Sequence, residues 1–115
     1  MVNRILVGAH YGLKDWIIQR ATAIVMAVYT LLFLVVLALV RPDSFEAWRS
    51  IFAHGLMKFA TFLFLISLFY HAWIGVRDIW MDYIKPAGLR LALQVLSIVW
   101  LVGCAGWAVQ VIWRL

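Results

Sequence analysis

Three long apolar runs dominate the chain: Ala21 to Val40, Phe59 to Val76 and Leu91 to Trp113, about 20, 18 and 23 residues long. Polar and charged residues gather between them, at Arg41-Pro42-Asp43-Ser44 and from Arg77 to Arg90. A helix rises about 1.5 Å per residue, so roughly 20 residues cross a hydrocarbon core of about 30 Å. Strands are excluded as spans, because three cannot close a barrel and lipid tolerates no open sheet edge. The pattern therefore predicts an all-α membrane protein with three transmembrane helices, over about residues 15–40, 54–84 and 89–113. One membrane domain covers residues 1–115.

Local punctuation sharpens these bounds. Pro42 ends the first helix at Arg41, since proline disfavours the helical conformation in the residue before it. Asp43-Ser44 caps a short helix through Arg49 that lies along the outer surface. Pro86 does to Lys85 what Pro42 does to Arg41, and opens a tight turn with Gly88. Ahead of the first span, Trp16, Ile17 and Ile18 are expected in the interface, with Lys14 and Asp15 toward water. Ala23 and Ala27, four apart, allow another helix to approach closely. Trp80 and Tyr83 at one membrane surface, and Trp107 and Trp113 at the other, form an aromatic belt.

Composition agrees with a lipid solvent. Of 115 residues 67% are hydrophobic and 13% charged, more apolar surface than a soluble domain of this size can hide. The first run is too long for a secretory signal and lacks a small-x-small cleavage site at Val40-Arg41-Pro42. The first twenty residues carry Arg4, Lys14 and Arg20 but are too poor in Ser for a mitochondrial transit peptide. A bacterial inner membrane is the simplest home. The net charge of +5 is spread over every loop and gives no nucleic-acid signal. Arg4, Lys14, Arg20, Arg77, Lys85 and Arg90 fall on one side of the membrane, and Arg41, Arg49, Lys58 and Arg114 on the other. That excess predicts a cytoplasmic N-terminus and a periplasmic C-terminus. The single Cys104, inside the third run, reads as a small packing residue.

His71 is the candidate for chemistry. An imidazole at bilayer depth is costly unless it is satisfied by a hydrogen bond from a neighbouring helix, a metal or a proton relay. Ser67, His71, Gly75, Asp78 and Asp82 share one helix face, a small and polar stripe that should face protein. Gly75, one turn from His71, leaves space for a flat ring against the backbone. His10 precedes the first span and His54 sits at the outer edge of the second, so a bis-histidine haem would need a ligand from another polypeptide. Arg20, where the first helix enters the membrane, is either a snorkelling anchor or a bidentate clamp for haem propionates. The neighbouring Arg77 and Asp78 read as a local interfacial ion pair of little worth.

Three stretches carry a resemblance: Asp15-Trp16-x-x-x-Arg20-Ala21-Thr22-Ala23, His71-Ala72-Trp73-Ile74-Gly75, and Asp82-Tyr83-x-Lys85-Pro86. Together they closely resemble the hydrophobic membrane anchor subunits of bacterial succinate dehydrogenase (complex II). The likeness extends over essentially the whole chain. It implies a bundle completed by a second, cytochrome b-type anchor, with one haem b between the two. It implies that His71 is one axial ligand to the haem iron, that Arg20 lies near the propionates, and that Tyr83 and Asp82 belong to a ubiquinone site. The iron–sulfur and flavoprotein subunits would carry the FeS clusters and FAD, for which this chain has no Cys set or Gly-rich loop. The chain would serve the enzyme without oxidising succinate itself.

Two other readings compete. A small multidrug-type transporter needs a carboxylate deep in a span, yet Asp15, Asp43, Glu46, Asp78 and Asp82 all lie outside or at the ends of the apolar runs. A purely structural anchor would bind neither haem nor quinone.

Overall fold

The fold is a computed structural model that describes the backbone from Arg4 to Leu115 and side chains from Gly12 onward. The elements are α1 (Arg4–Val40), α2 (Phe45–Ala53), α3 (Gly55–Tyr83) and α4 (Ala87–Trp113). Three helical segments are long and apolar enough to cross a membrane: Gly12–Val40, Gly55–Tyr83 and Ala87–Trp113. At 27 to 29 residues each would reach about 40 Å, through the hydrocarbon core and into the headgroups. Among the described residues there is no strand.

α1 starts at Arg4 rather than near Asp15. No proline precedes Pro42, and once the span has nucleated, each further residue adds a hydrogen bond. Gly8 and Gly12 cost about 1 kcal/mol apiece without breaking the helix. At the other end Arg41 takes a positive φ of 51°, while its N–H still reaches the Leu37 carbonyl at 2.9 Å. A left-handed residue followed by Pro42 turns the chain sharply at the membrane surface, at a cost of about 1 kcal/mol for a side chain other than glycine.

The short α2 is capped as its sequence implies. Ser44 Oγ accepts from the Ala47 N–H at 3.2 Å, and Glu46 sits in the first turn, where the helix dipole favours an anion. His54 alone joins α2 to α3, in extended backbone, and its Nδ1 accepts from the Leu56 N–H at 3.3 Å. Ile84 to Pro86 joins α3 to α4. Pro86 is itself the N-cap of α4, so Gly88 lies inside that helix and takes no part in the turn, contrary to expectation. Proline suits this position because the first helical N–H groups have no partner anyway.

α3 is the centre of the molecule, with α1 along one flank, α4 along the other and α2 against its first turns. The result is elongated and thin, 63 × 26 × 20 Å. Very little of it is enclosed. Ile51, Met57, Ile74, Ile112 and Ser67 are the buried residues among those described, and only Ile74 is sealed, at 1% exposure. Leucines, isoleucines and valines cover the outside of α1 and α4, as lipid or another apolar protein surface requires. Trp107, Trp113 and Tyr83 are exposed at the helix ends, as an aromatic belt needs. Near α2 the packing is aromatic: Tyr29 stacks on Phe64 at 4.5 Å, and Phe33 lies 5.7 Å from Phe52 and 6.5 Å from Trp48.

Candidate functional site

Apolar side chains do not drive helices together in lipid, so polar contacts and close packing fix who faces whom. On α1, Asp15, Thr22 and Tyr29 recur every seven residues. Seven residues are two turns, about 10.5 Å of rise, so the three share a stripe. Running antiparallel, α3 meets them with Arg77, His71 and Thr61. The Tyr29 hydroxyl and Thr61 Oγ1 are 2.7 Å apart, and Thr61 also donates to the Met57 carbonyl at 2.8 Å. A hydroxyl has one proton, so Tyr29 is the donor to Thr61.

At the opposite end of the seam Arg77 is bound through Nη2 to the Asp15 carboxylate. Its contact with Asp78 is longer, 3.6 Å, and the Asp78 side chain is 56% exposed. The expected local pair of Arg77 and Asp78 is therefore secondary, because Asp15 turns into the seam instead of facing water. Arg77 Nε is buried without a partner, as is Gln19 Oε1 one turn further along α1.

His71 lies between these two ties and is half-buried. Its Nδ1 sits 3.0 Å from Thr22 Oγ1, which also donates to the Ile18 carbonyl at 2.7 Å. Nε2 has no partner among the described residues, and it is not one of the atoms buried without one. One turn on, a Cβ added at Gly75 would meet nothing within 4 Å, so the backbone beside the ring is open. The arrangement fits one axial ligand to a flat macrocycle: an imidazole held through one nitrogen, the other without a partner, beside bare helix. Among the described residues no cluster of three or more His, Cys, Asp or Glu could hold a metal alone.

The remaining candidates are not gathered around His71. Asp82 and Tyr83 end α3, eleven and twelve residues away, about 17 Å along the axis. Both are exposed, Tyr83 at 75%. Arg20 is only two residues from Thr22, but two residues rotate a helix by about 200°, so it leaves α1 on the side away from α3. There its guanidinium lies over the Trp16 ring, 5.2 Å from the centroid. Arg20 and His71 share a depth and not a face. Three apolar clefts run between the helices, one of about 450 Å³ between α3 and α4 near Phe69, Trp73 and Leu101. His71, Asp82 and Tyr83 line none of them.

Comparison with known proteins decides the assignment. The family model for the succinate dehydrogenase/fumarate reductase transmembrane subunit matches residues 2–105. The chain belongs to that family. It is also 38% identical, over 102 residues, to the succinate dehydrogenase hydrophobic membrane anchor subunit of Coxiella burnetii, strain RSA 493 / Nine Mile phase I. That match covers 89% of each chain. As a membrane anchor subunit of succinate dehydrogenase, the chain works within a larger complex, and its thin, open helix array is consistent with other subunits covering it.

Sequence reasoning missed the partners of the seam. Thr22, Tyr29 and Thr61 each place a hydroxyl in an otherwise apolar span, and the seven-residue step from Asp15 was the available signal. On the other flank, Trp80 Nε1 donates to Ser97 Oγ at 2.8 Å, tying α3 to α4; Ser97 in turn donates a hydrogen bond to the Leu93 carbonyl. Trp80, expected only in the aromatic belt, is thus also a packing residue.

Proposed function

We propose that this chain supplies His71 as one axial ligand to a haem b shared with a second, cytochrome b-type anchor, and contributes Tyr83 and Asp82 to a ubiquinone site. The carrying observation is the His71 ring: bonded through Nδ1, free at Nε2, and next to open backbone at Gly75. A bound haem would supply a one-electron store whose potential follows from its axial ligands and burial.

Reducing ubiquinone to ubiquinol takes two electrons and two protons. The electrons come from succinate by way of FAD and iron–sulfur clusters on the flavoprotein and iron–sulfur subunits. Tyr83, exposed where α3 leaves the membrane, donates a hydrogen bond to a quinone carbonyl oxygen and so stabilises negative charge that grows there. Asp82, exposed beside it, orients a neighbouring cation or passes protons from the aqueous side. Both protons end on the two oxygens of ubiquinol. Arg20 is the cation available at the depth of His71 to haem propionates. Because it points away from α3, those carboxylates would have to reach round α1 or lie toward the partner. The site sits at the cytoplasmic face of a bacterial inner membrane, with the C-terminus periplasmic, as the excess of Lys and Arg on that face favours.

A redox difference spectrum of the purified complex tests the reading. His71→Ala is expected to remove or greatly weaken the haem b bands. An unchanged spectrum would refute ligation by this residue.

A further inference from the structure

We propose that Thr22 is a positioning residue that holds His71 in the Nδ1–H tautomer and thereby assigns Nε2 as the ligating nitrogen. The inference rests on the reading of His71 as an axial ligand and goes beyond it, since it names what sets the ring's proton, its orientation and its donor strength.

A threonine hydroxyl has one proton and two lone pairs. Two carbonyl oxygens, which only accept, lie within reach of Thr22 Oγ1: Ile18 at 2.7 Å and Gln19 at 3.2 Å. The proton goes to the nearer, the usual back-bond of a hydroxyl inside a membrane helix. The contact to His71 Nδ1 at 3.0 Å must then run the other way, with the imidazole donating its N–H to Thr22. A neutral ring has a single N–H, so Nε2 carries the lone pair.

The position of that acceptor is itself braced. The Asp15–Arg77 pair holds the seam two turns to one side of Thr22, and the Tyr29–Thr61 bond holds it two turns to the other. Sliding or rotation of α1 against α3 would strain both ties at once. The ring plane is thus referred to two helices, while its free nitrogen looks out toward whatever completes the site. Donating the N–H also enriches the ring in electrons, which makes it a stronger ligand and favours ferric over ferrous iron.

The test uses the assembled complex carrying Thr22→Val, Thr22→Ala or Thr22→Ser, with His71→Ala as reference. Haem b is quantified per flavin and its midpoint potential measured by redox titration. Valine keeps the shape and removes the acceptor; serine keeps the acceptor and removes a methyl. Thr22→Val and Thr22→Ala are expected to weaken haem retention about 10- to 100-fold and to raise the potential of the haem that remains. Thr22→Ser should stay near wild type in both. If the valine form does not assemble, the alanine and serine forms, which differ only by the hydroxyl, give the same comparison. Wild-type haem content and potential in Thr22→Val and Thr22→Ala, with haem lost in His71→Ala, overturn the role of Thr22 and leave ligation standing. An equal defect in Thr22→Ser and Thr22→Ala overturns it too, by showing that packing is responsible. Haem retained in His71→Ala instead refutes the ligation reading, and this inference with it.

Discussion

Arg77 on α3 is bound to Asp15 on α1, across 62 residues of sequence, in preference to its neighbour Asp78. The pair closes the seam at the end where α3 leaves the membrane, two turns before Tyr83. It is part-buried, with 27% and 37% of the two side chains exposed, so its worth lies near the top of the range for surface pairs, about 1 kcal/mol. Asp15→Asn and Arg77→Gln should each lower the thermal stability of the assembled complex by roughly that amount, and together by less than the sum. Asp78→Asn should leave it unchanged. Equal effects from Asp15→Asn and Asp78→Asn in a thermal-inactivation series would show that the two carboxylates share Arg77 evenly.

The Trp80–Ser97 bond plays the corresponding part on the other flank. Trp80→Phe removes the only donor of the indole and keeps most of its bulk, and Ser97→Ala removes the acceptor. A neutral hydrogen bond contributes about 1 kcal/mol. Each variant is therefore expected to destabilise the complex by about that much, and the double mutant by less than the sum. Strict additivity in a double-mutant cycle would mean that α3 and α4 are held by packing alone.

The proposed role of Tyr83 at a quinone is tested by Tyr83→Phe, which should affect quinone chemistry and not electron supply. A hydrogen bond to a group that is gaining charge is worth about 1.5–3 kcal/mol, so succinate–quinone turnover should fall about 10- to 100-fold. Succinate oxidation by an artificial dye that takes electrons upstream should be spared. Equal loss in both assays would point to faulty assembly.

Arg20→Ala addresses the residue whose placement is least convenient. Its guanidinium rests over Trp16 on the far side of α1 from His71. Contact with a propionate would make this variant lose haem or shift its potential, and Arg20→Lys, which cannot bind bidentately, would recover only part of the loss. Wild-type haem content and potential in Arg20→Ala would assign the residue to anchoring in the headgroups.

Much of the architecture was legible before any coordinates. The breaks at Pro42 and Pro86 follow from what proline does to its own N–H and to the residue before it, and the Ser44 cap from its hydroxyl ahead of α2. His71 stood out because an imidazole inside Phe59 to Val76 has to be satisfied somehow. The partner that satisfies one of its nitrogens was not legible. Thr22 looked like part of a motif, and nothing local distinguishes a hydroxyl that only back-bonds to Ile18 from one that also pairs with an imidazole across the seam. Arg77 misled for a related reason: Asp78 is adjacent in sequence, whereas Asp15 becomes adjacent only once α1 is set antiparallel to α3 in the right register.

The number of spans and the breaks at Pro42 and Pro86 were determined by the sequence alone, because they depend on apolar length against bilayer thickness and on where proline forbids a helix. Tertiary structure decided the rotation of each helix about its own axis, and with it the pairings Asp15–Arg77, Thr22–His71, Tyr29–Thr61 and Trp80–Ser97. A helix apolar on every side has no face that lipid prefers to expose. Its orientation is set only when a few hydroxyls, one ring and one ion pair find each other across the seam.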